Sequence, residues 1–398
     1  MNVRTVNQLK LADKRVLIRV DFNVPMDKYG QVTDDTRIQA ALPTIRLASE
    51  AGAKVILVSH LGRPKGKRVP EMSLEPAAKR LSIVMGKEIG FVPDCIGPAV
   101  EAAVAALKPG DVILLENIRF YPEEEKNDDA FGAKLAALCD VYVNDAFATA
   151  HRSHASNVAI TRHVAEKAAG LLMKNEIDYF EKAFVAPARP LVAIFGGAKI
   201  SGKIDAIRNV LGKVDKIIIG GAMANTFIAA HGYPTGSSFY EANMVEMAKE
   251  VIAVTSARKL KLYLPVDFLV ADRFDSTAET KVVPLKEIPE NWSAVDIGPA
   301  SQMLFKEILW DAKTIVWNGP MGAFEIPPFA SGTFSIIHAL ATSPAVTIVG
   351  GGDSGKALQS TGLSGKMSYV STGGGAFLEL LEGKPLPGLV ALESGQPI

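Results

Sequence analysis

Short apolar runs, each stopped abruptly by glycine or by a polar turn, recur along this chain with helical stretches between them. That alternation restricts the fold more than any other feature. A run such as Leu191 to Phe195 is too continuous to face water on one side, so it suits a strand buried on both faces. Strands of this kind joined by helices imply a parallel, doubly wound α/β sheet. At 398 residues the chain exceeds one ordinary core, so two domains are expected.

The strand exits of the first half carry charge. Arg15 to Phe22 runs into Asp21-Phe22-Asn23-Val24-Pro25, where proline cannot continue a central ladder and leaves Asp21 and Asn23 at the exit. Lys54 to Ser59 runs into His60-Leu61-Gly62-Arg63-Pro64, and Asp111 to Leu115 into Glu116-Asn117-Ile118-Arg119-Phe120. Val141 to Val143 precedes Asn144-Asp145 and then His151 and Arg152, and Glu88 to Pro93 reads as a weaker strand. Ligands of doubly wound sheets bind beyond the carboxyl ends of the strands. His60, Arg63, Arg119, His151 and Arg152 all fall there, and together they read as an anion pocket, since the arginine fork suits phosphate or carboxylate. A helix expected over 33–48, capped by Thr33, Asp34 or Asp35, puts Arg37 in its first turn, where positive charge opposes the helix dipole.

A helix over 170–184, followed by the Pro187-Ala188-Arg189-Pro190 break, reads as an inter-domain connector. Beyond it the exits carry glycine: Gly196-Gly197, Gly220-Gly221, Asn318-Gly319-Pro320-Met321-Gly322, Gly350-Gly351-Gly352 and Gly373-Gly374-Gly375. Bare amides at helix N-termini suit the phosphate chain of a nucleotide. If a helix begins at Ile200, Lys199 and Lys203 share one face near its N-terminus. Asp353 suits a Mg²⁺ carried by such a nucleotide, or a helix N-cap. No GKS or GKT occurs, which excludes a Walker-A site. Gly350, Gly352 and Gly355 match GxGxxG and leave a dinucleotide-dependent oxidoreductase open, although the acidic residue expected about 20 positions on is missing. A bilobal anion-binding protein without chemistry is the other alternative.

Composition narrows the partners. Lys+Arg and Asp+Glu both number 43, which gives no support to nucleic acid or a membrane surface. The two cysteines, Cys95 and Cys139, lack CxxC spacing and read as buried free thiols in a reducing compartment. With neither a signal-peptide core nor a long apolar span, a cytoplasmic protein is expected.

Taken together, RVDFNVP at 19–25, HLGRP at 60–64, ENIRF at 116–120, HRSHAS at 151–156, GGAK with a second lysine four on, WNGPMG at 317–322, GGGDS at 350–354 and STGGGA at 371–376 resemble the phosphoglycerate kinase family. The motifs follow the family's order and span nearly the whole chain. The resemblance implies two Rossmann-like lobes separated by a cleft: 1–169 for the phosphoglycerate, 170–189 as hinge, 190–384 for the nucleotide, and 385–398 returning to the first lobe. It implies reversible phosphoryl transfer between 1,3-bisphosphoglycerate and ADP, with Mg²⁺ bound to the nucleotide, in a cytoplasmic monomer. Asp21, Phe22 and Asn23 would then hold the glycerate, and His60, Leu61, Gly62, Arg63, Arg119 and Arg152 its far phosphate. Arg37 and Lys199 would meet the migrating phosphoryl, Lys203 would bind a nucleotide phosphate close to the same path, and Gly373 and Gly374 would supply amides to the transferring group. Gly197, Ala198, Gly220, Gly221, Asn318, Pro320, Gly351, Gly352 and Ser354 would surround the nucleotide, with Glu325 on its ribose and Asp353 on its metal. Two positions depart from the family's pattern: Ala148 in AFATAHR, and Phe377 after GGGA. The chemistry agrees independently. A carboxylate acceptor, with an ordinary pKa near 4, is already ionised at neutral pH and needs no general base.

Overall fold

The computed structural model describes residues 3–393. Six strands form the first sheet: β1 (Arg15–Arg19), β2 (Lys54–Val58), β3 (Gly90–Val92), β4 (Val112–Leu115), β5 (Val141–Asn144) and β6 (Glu166–Ala169). Their order is β3-β4-β2-β1-β5-β6, and every pairing is parallel. Then follow β7 (Leu191–Phe195), β8 (Lys216–Ile219), β9 (Lys261–Tyr263), β10 (Asp267–Ala271), β11 (Thr280–Pro284), β12 (Ser293–Ile297), β13 (Thr314–Asn318), β14 (Val346–Gly350) and β15 (Tyr369–Val370). The second large sheet has the order β15-β14-β13-β7-β8-β9 and is also all parallel. The expected α/β class, with two doubly wound parallel sheets, is therefore what the chain forms.

The chain divides into two compact units, Met1–Asp178 with Pro385–Ile398, and Tyr179–Lys384. The division falls inside the helix Leu171–Phe184. Its first turn is held in the first unit: Asp145 Oδ1 accepts from the Leu172 and Met173 amides at 2.9 and 3.1 Å, and Thr44 Oγ1 accepts from the Leu171 amide at 2.8 Å. A Cβ on Gly170 would lie 2.1 Å from Asp145 Oδ1, so only glycine leaves room for that cap. In the second unit Tyr179 stacks on Tyr369 with centroids 4.5 Å apart. Of the expected returning segment, 394–398 lie outside the described residues, while the Gly388 amide donates to the Ala150 carbonyl at 2.8 Å.

Each large sheet is buried on both faces, as the continuous apolar runs require. Val16, Ile18, Val55, Leu57, Leu114 and Val143 belong to one core, and Val192, Ile194, Ile218, Ile315, Trp317 and Val349 to another. Two expectations change. The stretch 261–271, in which the sequence suggests one further strand, holds two in different sheets: β9 lies at the edge of the large sheet, while β10 pairs antiparallel with β11 and β12. The helix expected from Ile200 begins instead at Ile204, with Lys203 as its N-cap.

Candidate active site

In the first unit the exits of β1, β2 and β4 are knitted into one loop cluster. The Phe22 amide donates to Ser59 Oγ at 2.8 Å, and the Gly62 amide to Asn23 Oδ1 at 2.9 Å. Asn117 Nδ2 donates to the Leu61 carbonyl at 2.7 Å, and Arg119 Nη1 to the Gly62 carbonyl at 2.8 Å. Phe22 and Leu61 send their side chains into the core and can offer a ligand only main chain. Arg37 lies in the first turn of the helix Thr36–Glu50 and donates to Asp21 Oδ2. That ion pair offsets the dipole penalty of an arginine at a helix start.

His60, Arg119 and Arg152 lie close enough to perturb one another electrostatically, together with Arg19 and Arg37. Burial, reinforced by those cations, holds the His60 imidazole well below its ordinary pKa, so it is neutral. Burial, with Arg19 next in weight, lowers the Arg119 guanidinium to about 10, and its Nε has no hydrogen-bond partner. Arg152 Nε donates to His151 Nε2 at 3.2 Å, while Arg63 is exposed beside the cluster. Arg19 was not among the expected site residues, yet it is fully buried at the centre of this cluster.

In the second unit Gly197, Ala198, Gly221, Pro320, Glu325 and Asp353 line one pocket of about 250 Å³. Asn225, Phe268, Phe274, Val295, Asp296 and Met321 also belong to its wall; none of them is among the expected site residues, although Met321 lies within the WNGPMG motif. Gly221 is needed for a close approach: at φ +65°, a Cβ there would lie 2.5 Å from the Gly197 amide nitrogen. Lys203 and Lys199 do not act as a pair. Lys203 turns inward and donates to the Gly196 carbonyl at 2.7 Å and the Asn318 carbonyl at 3.1 Å. Burial lowers its ammonium to about 8, with Asp353 opposing. Lys199 is exposed, with the Glu241 carboxylate as an electrostatic neighbour.

Ser354 Oγ accepts from the Gly319 amide at 2.6 Å, tying the exit of β13 to the helix Gly352–Ser360. Asp353 sits in the first turn of that helix, whose N-cap is Gly351, so the alternative of Asp353 as N-cap does not hold. A second helix, Gly374–Leu381, starts alongside: a Cβ on Gly374 would lie 3.1 Å from the Gly352 amide nitrogen. Two N-termini therefore present amides side by side, an arrangement suited to phosphate. Gly220 packs under Met321, and Phe377 fills the space beside Gly350, where a Cβ would meet its ring at 2.1 Å. Phe377 is thus a core residue beneath the loop. Ala148 lies in the short helix Phe147–Thr149.

Comparison with known proteins decides what such a chain is. The family model for phosphoglycerate kinase matches residues 6–384. The chain belongs to the phosphoglycerate kinase family. It is 56% identical over 392 residues to a phosphoglycerate kinase of Desulfotalea psychrophila, covering 98% of this chain and 100% of that protein. A phosphoglycerate kinase of Geobacter metallireducens is 56% identical over 394 residues, with 99% of each chain covered. Among solved structures, that of phosphoglycerate kinase from Coxiella burnetii superposes with a TM-score of 0.90 at 42% identity over 98% of both chains. The reaction of a phosphoglycerate kinase is reversible phosphoryl transfer between 1,3-bisphosphoglycerate and ADP, giving 3-phosphoglycerate and ATP in glycolysis. The oxidoreductase suggested by GxGxxG and the reaction-free anion binder are set aside. Among the described residues no helix is long and apolar enough to cross a membrane.

Proposed function

We propose that this chain divides its substrates between its two units, with the phosphoglycerate on 1–169 and the nucleotide on 190–384. The observation that carries this reading is the partition of chemistry. The arginine cluster around His60 belongs to one compact unit and the glycine-lined pocket to the other. Asp21 and Asn23 orient the glycerate. His60, as a neutral donor, joins Arg63, Arg119 and Arg152 on the far phosphate, and the main chain of Phe22, Leu61 and Gly62, tied to Ser59, Asn117 and Asn23, fixes the loops beside the glycerate and that phosphate. Glu325 accepts from the ribose. Amides of Ala198, Gly351 and Gly352 hold the nucleotide, while Gly197, Gly220 and Gly221, whose amides donate to the carbonyls of Pro320, Phe195 and Met321, shape the surrounding loops together with Asn318, Pro320 and Ser354.

Because the acceptor is a carboxylate, the chain need only position the reactants and stabilise charge. Arg37, Lys199 and Lys203 supply positive charge to the migrating phosphoryl, and the amide of Gly374 supplies a donor, with Gly373, whose own amide donates to Ser371 Oγ at 3.2 Å, leading the chain into the helix Gly374–Leu381. Among the described residues no group of three or more His, Cys, Asp and Glu side chains is gathered for a metal. Asp353 offers a single, largely exposed carboxylate beside the pocket. One carboxylate with nucleotide phosphates is a usual donor set for Mg²⁺, and Asp353 fits that role. When bound, Mg²⁺ neutralises charge on the phosphates. Asp353→Asn is expected to weaken Mg-nucleotide binding about tenfold while leaving 3-phosphoglycerate affinity unchanged. Separate calorimetric titrations check this, and a selective loss of 3-phosphoglycerate binding would contradict the partition.

In-line transfer needs the reacting atoms about 3–3.5 Å apart. Groups carried on two units meet that demand by hinge bending, with 170–189 as one hinge and 385–398 as a second crossing. Both ligands together should therefore lower the radius of gyration more than either alone, as measured by small-angle scattering. An identical radius in all states of an active preparation would refute the hinge. The protein acts here as a monomer, and sedimentation or light scattering of the active protein checks it. The two buried free cysteines suit a reducing compartment such as the cytoplasm.

A further inference from the structure

Beneath the arginine cluster lies a chain of buried hydrogen bonds that the substrate assignments above leave unused. Glu124, Ser156 and Arg19 are all fully buried, and His60 is 2% exposed. Glu124 Oε2 accepts from the Ser156 amide at 2.9 Å, and its Oε1 accepts from Ser156 Oγ at 2.7 Å. With its proton committed to Glu124, Ser156 Oγ accepts from Arg19 Nε at 2.9 Å. Arg19 Nη1 donates to its neighbour's carbonyl at Val20, and Nη2 lies 3.2 Å from His60 Nδ1. Tyr142 pins the same serine from behind, its hydroxyl donating to the Ser156 carbonyl at 2.6 Å.

The direction of the last link follows from chemistry. A guanidinium has five donors and no acceptor, so His60 Nδ1 must be the accepting nitrogen. The other candidate partner, Asp21 Oδ1, is 3.8 Å away, beyond hydrogen-bond range. A neutral ring whose Nδ1 accepts carries its proton on Nε2. We propose that Ser156 and Glu124 are positioning residues: acting through Arg19, they hold His60 as the Nε2–H tautomer. His60 then presents a fixed neutral donor, and Glu124 is the buried counter-charge for Arg19.

The inference rests on the reading that His60 binds the phosphoglycerate, and its test separates the two. The probe is ¹⁵N NMR of the full-length protein labelled at histidine, with His60 assigned through His60→Gln. The wild type should show a neutral His60 protonated on Nε2. Ser156→Ala and Glu124→Gln should each convert that signal to a mixture of tautomers, because the serine no longer aligns Arg19. Both should raise KM for 3-phosphoglycerate about tenfold and leave KM for MgATP unchanged. Ser156→Thr, which keeps the hydroxyl, should restore the wild-type signal. Glu124→Gln keeps the shape of the site, so it carries the test should Ser156→Ala fail to fold. A wild-type His60 protonated on Nδ1, or a signal unmoved in the folded variants, overturns the relay. A shifted tautomer with KM for 3-phosphoglycerate unmoved sustains the relay and overturns the placing of His60 in the substrate site.

Discussion

Arg37→Ala and Lys199→Ala are each expected to lower kcat by about 10²–10³, with KM for either substrate changed far less. The expectation follows from how loosely these two cations are committed. Arg37 is 37% exposed at the side chain and spends one contact on Asp21, which leaves most of its five donors available. Lys199 is exposed, and among the described residues the Glu241 carboxylate is its electrostatic neighbour. Groups held at the edge of a site, with donors to spare, gain most when charge builds up on a phosphoryl in transit. A ground-state anchor would instead change KM. Arg37→Lys should recover little, because an ammonium keeps the charge but loses the planar fork. Steady-state kinetics in both directions checks this, and unchanged turnover in either alanine variant removes that residue from the transfer step.

Lys203→Met should reduce kcat/KM for the nucleotide by about 10² and should also alter the pH profile. Burial pulls the Lys203 ammonium down to about 8. In the free enzyme its charge is therefore present at neutral pH and fades as pH rises through that value. Wild-type kcat/KM for the nucleotide should fall on the alkaline side of about 8, and the variant should lack that limb. The stability consequence has a definite sign. Between about 8 and the ordinary lysine range near 10.4, the unfolded chain binds the proton that the folded chain has released, so this lysine makes the protein more stable as pH rises across that window. The variant should lose that rise, and thermal unfolding at pH 8 and pH 10 measures it. A wild-type limb that persists in Lys203→Met would assign it to another group.

Much of this site could be read from residue order, because strand exits in a doubly wound sheet are functional positions by construction. Asp21, Asn23, His60 and Arg119 could be placed that way, as could the glycines after β7, β8, β13 and β14. Arg19 could not. Within RVLIRV it looks like a polar interruption of a strand, and its burial is made tolerable by the Val20 carbonyl and by His60 and Ser156, far away in sequence, with Glu124 behind the serine. Glu124 is hidden in the same manner, since Glu123-Glu124-Glu125 reads as a solvated acidic run although the middle member is fully buried. The helix start after Gly197 was displaced by four residues because Lys203 satisfies carbonyls at the strand ends instead of facing outward. The antiparallel sheet was overlooked for a different reason: in β11 only Val283 is buried, so no apolar period marks it. The pocket wall includes Phe274 and Val295, ordinary apolar residues that no local pattern distinguishes from core.

The two cysteines have a practical consequence for anyone wishing to watch this enzyme move. Cys95 and Cys139 are both buried, and burial raises the thiol of Cys95 well above its ordinary range and that of Cys139 to about 12. Since the thiolate is the reacting species, the folded chain is close to silent toward maleimides and iodoacetamides. A cysteine introduced at an exposed position, such as Tyr29 in the first unit or Trp310 in the second, would be the fast-reacting thiol without any prior removal of native sulfur. A donor and acceptor dye pair could be attached on the native background, and the distance between the units followed one molecule at a time as substrates come and go.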